Sequence, residues 1–272
     1  MSSDSSETGM SPFDAIFADG VLDPMVSAQK SMRADLPKRF WKTVTLEQDE
    51  GGYQVLLDGR PAKTPGRAAL ASPSPAIAER MRAEWDAVGE RLDPAELPMT
   101  KLINVALDQG SDSREAIIKD ITAYAGSDLV CYRAERPEGL VERQSTVWDP
   151  YVQRLSTHHS ITMKLAAGIV HVDQEPETLA AIQALVDARA VDAESLVALH
   201  LATTLLGSAV LALALAEPGG CDGRAQAIWL ASYVDEDWNR AQWGEDEEAK
   251  ALRAKRWRDY EVAAFVLCSN PG

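Results

Sequence analysis

Twenty-one consecutive residues, Leu196 to Ala216, contain no Asp, Glu, Lys or Arg. A helix of that length rises roughly 31 Å, enough to cross a bilayer. The run must therefore either span a membrane or be enclosed by protein. Six of the 21 residues are Ala, and His200, Thr203, Thr204, Gly207 and Ser208 interrupt the apolar surface. The nearest charges are Glu194 and Glu217, whereas a spanning helix is normally flanked by basic residues. Small side chains let neighbouring helices approach closely, and a helix apolar on all sides belongs at the centre of a bundle. The run reads as the buried central helix of a helical domain.

The chain can supply such a domain, with 272 residues of which 46% are hydrophobic and 25% charged, an ordinary globular composition. Residues 39–71 have strand character. Phe40, Val44 and Leu46 share one parity, Glu50-Gly51-Gly52 breaks the run, and Tyr53, Val55 and Leu57 alternate after it. Asp58-Gly59 is a hairpin signal, because both residues tolerate positive φ. Arg60–Pro65 continues as a short edge strand, where prolines are tolerated. From residue 73 the period becomes helical. Ile77, Met81, Trp85 and Val88 mark one face of a helix starting near Ser74-Pro75. Further helices are expected from Leu102, over Ser113–Tyr124 and Ser145–Thr157, from Pro176, and over about 221–242 and 246–268. The fold class is α+β, a small antiparallel β-rich N-terminal domain followed by a larger all-helical C-terminal domain. The expected divisions are a flexible leader over 1–34 with a short docked helix around Pro12–Phe17, a β-rich domain over 35–90 ending in a helix, and a helical domain over 91–272.

Twenty-seven basic residues against 42 acidic ones leave a net charge of −15. A body this acidic repels phosphate backbones, which argues against nucleic-acid binding. Cys131, Cys221 and Cys268 are far apart and form no C-x-x-C pair. They read as three lone thiols in a reducing compartment. Residues 1–34 hold five acids against Lys30 and Arg33, unlike a secretory signal or a mitochondrial presequence. A bacterial cytoplasm is the simplest address. No phosphate loop, nucleophile elbow or H-E-x-x-H segment occurs. Gly219, Gly220 and Gly223 follow a helix rather than a strand, so they read as a helix stop. His158 and His159 point to different sides of a helix, and His200 reads as a hydrogen-bonded core residue. No cofactor and no metal site are expected.

The densest charge lies at residues 235–248, with seven acids against Arg240. Trp238 and Trp243 flank it. Aromatic anchors ringed by charge are the usual composition of a protein-binding hot spot. The competing reading packs the tryptophans into the bundle and leaves the acids to water. A small-molecule enzyme using the cluster is the alternative, since paired carboxylates can do acid–base work or hold a metal.

Several ordered segments together resemble one family. They are Val55–Pro65 (VLLDGRPAKTP), Ala83-Glu84-Trp85-Asp86, Leu97–Leu102 (LPMTKL), Tyr124–Tyr132 (YAGSDLVCY), Trp148-Asp149-Pro150, Asp235-Glu236-Asp237-Trp238 and Gln242-Trp243-Gly244-Glu245. The pattern, spread over about residues 38–268, is similar to the assembly chaperones for the alpha subunit of the F-type ATP synthase catalytic head, in their alphaproteobacterial form. The resemblance implies a protein that is not an enzyme. Such a protein binds the unassembled alpha subunit, keeps it from aggregating and yields it to the beta subunit. It also implies a β-rich N-terminal and a helical C-terminal domain. The family's E-W-D tryptophan falls on Trp85, and its acidic stretch before W-G falls on Asp235, Glu236 and Asp237. With Trp238, Trp243, Gly244 and Glu245 these are the expected partner-binding residues. Val88 stands where the family pattern leads one to expect Gln. The chain is expected to be a monomer when free, with no membrane span.

Overall fold

The computed structural model describes residues 36–269, except 111, 169, 170, 219–222 and 245. The leader over 1–34, with its helix around Pro12–Phe17, lies outside them, as do Glu245 and Cys221.

The first sheet is built from two hairpin signals. Strand β1 (Val44–Asp49) pairs antiparallel with β2 (Gly52–Leu57), with Val44 opposite Leu57 and Asp49 opposite Gly52. Gly52 has φ +118, and a Cβ there would lie 2.5 Å from the Ser72 carbonyl oxygen, so only glycine fits. Asp58 and Gly59 have φ of 49 and 76, the left-handed pair that matches strand twist in a two-residue hairpin. Asp58 also accepts from the Lys42 and Thr43 amides at 3.0 and 2.9 Å. These backbone bonds hold its carboxyl below the usual range. Strand β3 is only Arg60–Pro61 and pairs with β2, and β4 (Ala71–Ser72) pairs with β2 beyond it. The edge strand expected as far as Pro65 therefore stops at Pro61, leaving a single bridge from Lys63 to Ala69. Phe40 precedes the strand and is 79% exposed, so it does not belong to the inward parity series.

The helical elements follow: α1 (Pro75–Ala87), α2 (Pro98–Gln109), α3 (Arg114–Gly126), α4 (Glu138–His159), α5 (Pro176–Arg189), α6 (Ala193–Leu206), α7 (Ala209–Leu215), α8 (Arg224–Ser232), α9 (Val234–Trp243) and α10 (Glu247–Ser269). A parallel pair, β5 (Tyr132–Arg133) with β6 (Ala166–Ala167), joins the segments on either side of α4. Helix α1 packs on β1 and β2, and buries Ile77 and Met81 completely. Val88 lies one residue past its end. The architecture is α+β as expected, strands first and helices after.

The uncharged run is buried, but as two helices. Leu196, Leu199, Leu211 and Leu215 have no exposed surface, and α6 packs against α2, α3, α7 and α10. Gly207, at φ +65, ends α6, and the Ser208 side chain caps α7 by accepting from the Leu211 amide. Asp128, fully buried, accepts from the Ser208 hydroxyl at 2.6 Å and the Val210 amide at 3.0 Å. Among the described residues no helix is long and apolar enough to cross a membrane. The last two expected helices are in fact three, because the chain turns at Tyr233 between α8 and α9.

The described residues fall into two units. Residues 36–40 and Val88–Asp93 form one, tied by Arg39 N–H to the Glu90 carbonyl at 2.9 Å and Leu92 N–H to the Pro37 carbonyl at 2.8 Å. Residues 41–87 and those from Pro94 onward form the other, which holds both the sheet and the bundle. Cys131 is a free, buried thiol that burial pushes up to about 12. Cys268 is disulfide-bonded, which corrects the reading of three lone thiols. His200 Nε2 hydrogen-bonds to the Asp120 carboxylate at 2.6 Å, the carboxylate accepting, but the His200 side chain is about a third exposed rather than in the core.

Candidate functional site

Helix α9 begins Val-Asp-Glu-Asp, so three carboxylates stand in its first turn. The free N–H groups and positive end of the helix dipole favour acids there, which explains the local sequence without function. Their surroundings then separate the three. Asp235 is half-buried and accepts from the Gln144 side-chain amide at 2.7 Å; Gln144 in turn accepts from the Ala134 amide at 2.8 Å. Asp237 receives both guanidinium nitrogens of Arg253 from α10, and Arg240 lies 3.2 Å away. The hydrogen bond that Arg253 donates to Asp237 raises the Arg253 pKa. Arg253 also stacks over the Tyr233 ring at 4.1 Å. Glu236 is exposed and makes no ion pair among the described residues.

The tryptophans divide in the same way. Trp238 is half-buried, with its ring so close to α4 that a Cβ on Gly139 would lie 3.0 Å from it. Trp243 is 87% exposed. Gly244 ends the helix at φ +94 with nothing near its Cβ position, so backbone conformation alone calls for glycine. Two grooves flank Glu236. One, about 310 Å³, lies between α9 and α10 and is walled by Tyr233, Trp243 and Ala249. The other, about 360 Å³, is lined by Leu129, Leu206, Tyr233 and Arg256. Trp229, seven residues before Glu236, is buried on α8 beyond the turn.

Trp85 sits on α1 and lines neither groove. It is half-buried, edge-on to Trp41 with centroids 5.1 Å apart, and its carbonyl accepts from the Trp41 indole at 3.3 Å. Its own indole N–H is buried and meets no acceptor among the described residues.

The family profile described as ATP12 chaperone protein matches residues 38–156. The Atu1473 protein from Agrobacterium tumefaciens, reported as a candidate chaperone, is 41% identical, with TM-score 0.79 over 91% of this chain and 91% of that one. Atp12 from Paracoccus denitrificans is 35% identical, with TM-score 0.75 over 85% of this chain and 97% of that one.

The chain belongs to the ATP12 chaperone family.

Much of the ATP12 pattern turns out to be framework. In the E-W-D segment, Glu84 reaches the start of α2 and accepts from the Met99 and Thr100 amides at 2.6 and 2.9 Å. It thereby caps the very residues of the L-P-M-T segment, and its burial raises its pKa. In Trp148-Asp149-Pro150, the Trp148 indole donates to the Ala231 carbonyl at 2.7 Å. Asp149 pairs with Arg133 at 2.8 Å, and Arg133 stacks on Trp148 at 5.2 Å. These bonds fix the end of α8, and so the origin of α9. Sequence reading missed Gln144, Arg253 and Glu84 as residues that place the site. No local signal marks them, since their partners lie 91, 16 and 15 residues away. Among the described residues no group of three His, Cys, Asp or Glu side chains is placed to hold a metal. Asp237, an acid of the enzymatic alternative, is taken up by two arginines.

Proposed function

We propose that this ATP12-family protein is an ATP synthase assembly chaperone without catalytic activity. It binds the unassembled alpha subunit of the catalytic head, keeps it from aggregating and yields it to the beta subunit. The observation that carries the reading is the α9 face, where one carboxylate, Glu236, and one indole, Trp243, stay exposed while their neighbours are held in place. A subunit built for a hetero-oligomer exposes apolar surface before its partner arrives, and such surface aggregates. A transient cover needs a few aromatic anchors and charge steering rather than a large permanent interface. Handover then follows if beta binds alpha more strongly, with no nucleotide required.

In this reading Glu236 and Trp243 contact the client. Asp235, Asp237 and Trp238 hold the helix, Gly244 ends it, and Glu245 is proposed as a further partner-binding acid. Trp85 stabilises the Trp41 contact on α1 as a second, supporting element. The protein acts as a monomer in the cytoplasm, free of cofactor. Expressing it with tagged alpha subunit, without beta, tests the reading on a sizing column. A discrete complex that dissolves when beta is added is the expected result. Aggregated alpha with this chain eluting alone would contradict it.

A further inference from the structure

The groove between α9 and α10 is lopsided in its charges. Arg253 and Arg240 both bind Asp237, and Lys250 is 3.5 Å from Glu247. Asp246 accepts from the Glu248 amide at 3.2 Å. The cations around the groove are thus all engaged, and Glu236 and Asp246 on its rim are carboxylates with no ion pair among the described residues. Between these charges Trp243, Tyr233 and Ala249 line the groove, with Arg240 and Lys250, residue types whose long side chains carry aliphatic stems. At about 310 Å³ the groove is at the small end of ligand sites, sized for one or two side chains.

We infer that this groove seats an aliphatic side chain of the client, with an adjacent lysine or arginine of the client on Glu236. The inference rests on the chaperone reading and names the chemistry of the segment recognised. An apolar side chain buries the face of Trp243, which is otherwise in water, and the neighbouring cation gives the unpaired Glu236 a partner. An acidic segment would meet Glu236 with no unengaged cation to offset the repulsion.

Purified ATP synthase alpha subunit is the probe, titrated against the full chain and three variants by calorimetry. Trp243→Ala removes a wall. Ala249→Phe fills the groove from an exposed position on α10. Ala184→Phe, in the separate cleft between α3 and α5, is the control. Circular dichroism and melting curves confirm that each variant folds. Both groove variants should weaken binding at least 10-fold, the control should leave it unchanged, and added salt should weaken the wild type more than Glu236→Gln. Wild-type binding that survives both groove variants would overturn the groove while leaving the chaperone reading intact. Absence of wild-type binding would instead sink the chaperone reading. Concentration-dependent self-association of the free chain, abolished by Trp243→Ala, would assign the groove to a second copy and overturn the inference.

Discussion

Three adjacent acids, Asp235, Glu236 and Asp237, show how little residue type says about role. Asp237 is held by Arg253 and Arg240 and Asp235 by Gln144, so removing either disturbs α9 itself. Glu236 has no such duty. Glu236→Lys should lower client affinity about 10-fold, or ~1.4 kcal/mol, with an unchanged melting temperature; calorimetry and a thermal scan read the two. Asp237→Ala should instead cost stability, about 2 kcal/mol for losing charge-assisted bonds to Arg253, measured by urea denaturation. Asp128 offers a pH test. Burial outweighs its accepted hydrogen bonds and raises its pKa from 3.8 to about 6. The native state therefore holds this proton at pH values where the unfolded chain has released it. Stability from this group is full below about pH 4 and is lost as pH rises through 6, by about 3 kcal/mol in all. Wild type and Asp128→Asn compared by denaturation between pH 4 and 7 should show a gap that narrows as pH rises. Parallel profiles would refute the assignment.

At the scale of elements, helix ends decide most of what differs from a reading of periodicity. Helix α2 starts at Pro98, four residues before the expected Leu102, because Glu84 supplies acceptors for its first amides. Glu84→Ala should cost about 1–2 kcal/mol, the usual loss for a cap, read as a lower urea midpoint. Glu84→Gln, which keeps one acceptor, should cost less. The run from Leu196 to Ala216 is interrupted because Gly207 adopts φ +65 and Asp128 receives the new helix start. Its burial was legible in its lack of charge; its break was not, since the acceptor lies 80 residues upstream. The same holds for α8 and α9, which read as one helix until the Trp148 bond to Ala231 fixes where α8 ends.

For the molecule as a whole, the net charge of −15 acts at a distance. It should speed encounter with a cationic client face, so the association rate measured by stopped flow should fall as salt rises from 50 to about 500 mM, when the Debye length shrinks from over 10 Å to a few. A salt-independent rate would remove steering from the mechanism. The sequence by itself determined the features that depend on near neighbours. These are the Asp58-Gly59 turn, the starts of α1 and α5, the α+β order of elements and the enclosure of the uncharged run. Backbone preference and the spacing of apolar side chains act over a few residues, so they are written locally. Only the tertiary structure decided which acid of α9 is left exposed without an ion pair, which tryptophan faces water, and that Glu84, Asp128 and Trp148 are framework. Those outcomes rest on hydrogen bonds and ion pairs between distant segments, and a buried polar group takes its role from whatever the fold brings to meet it.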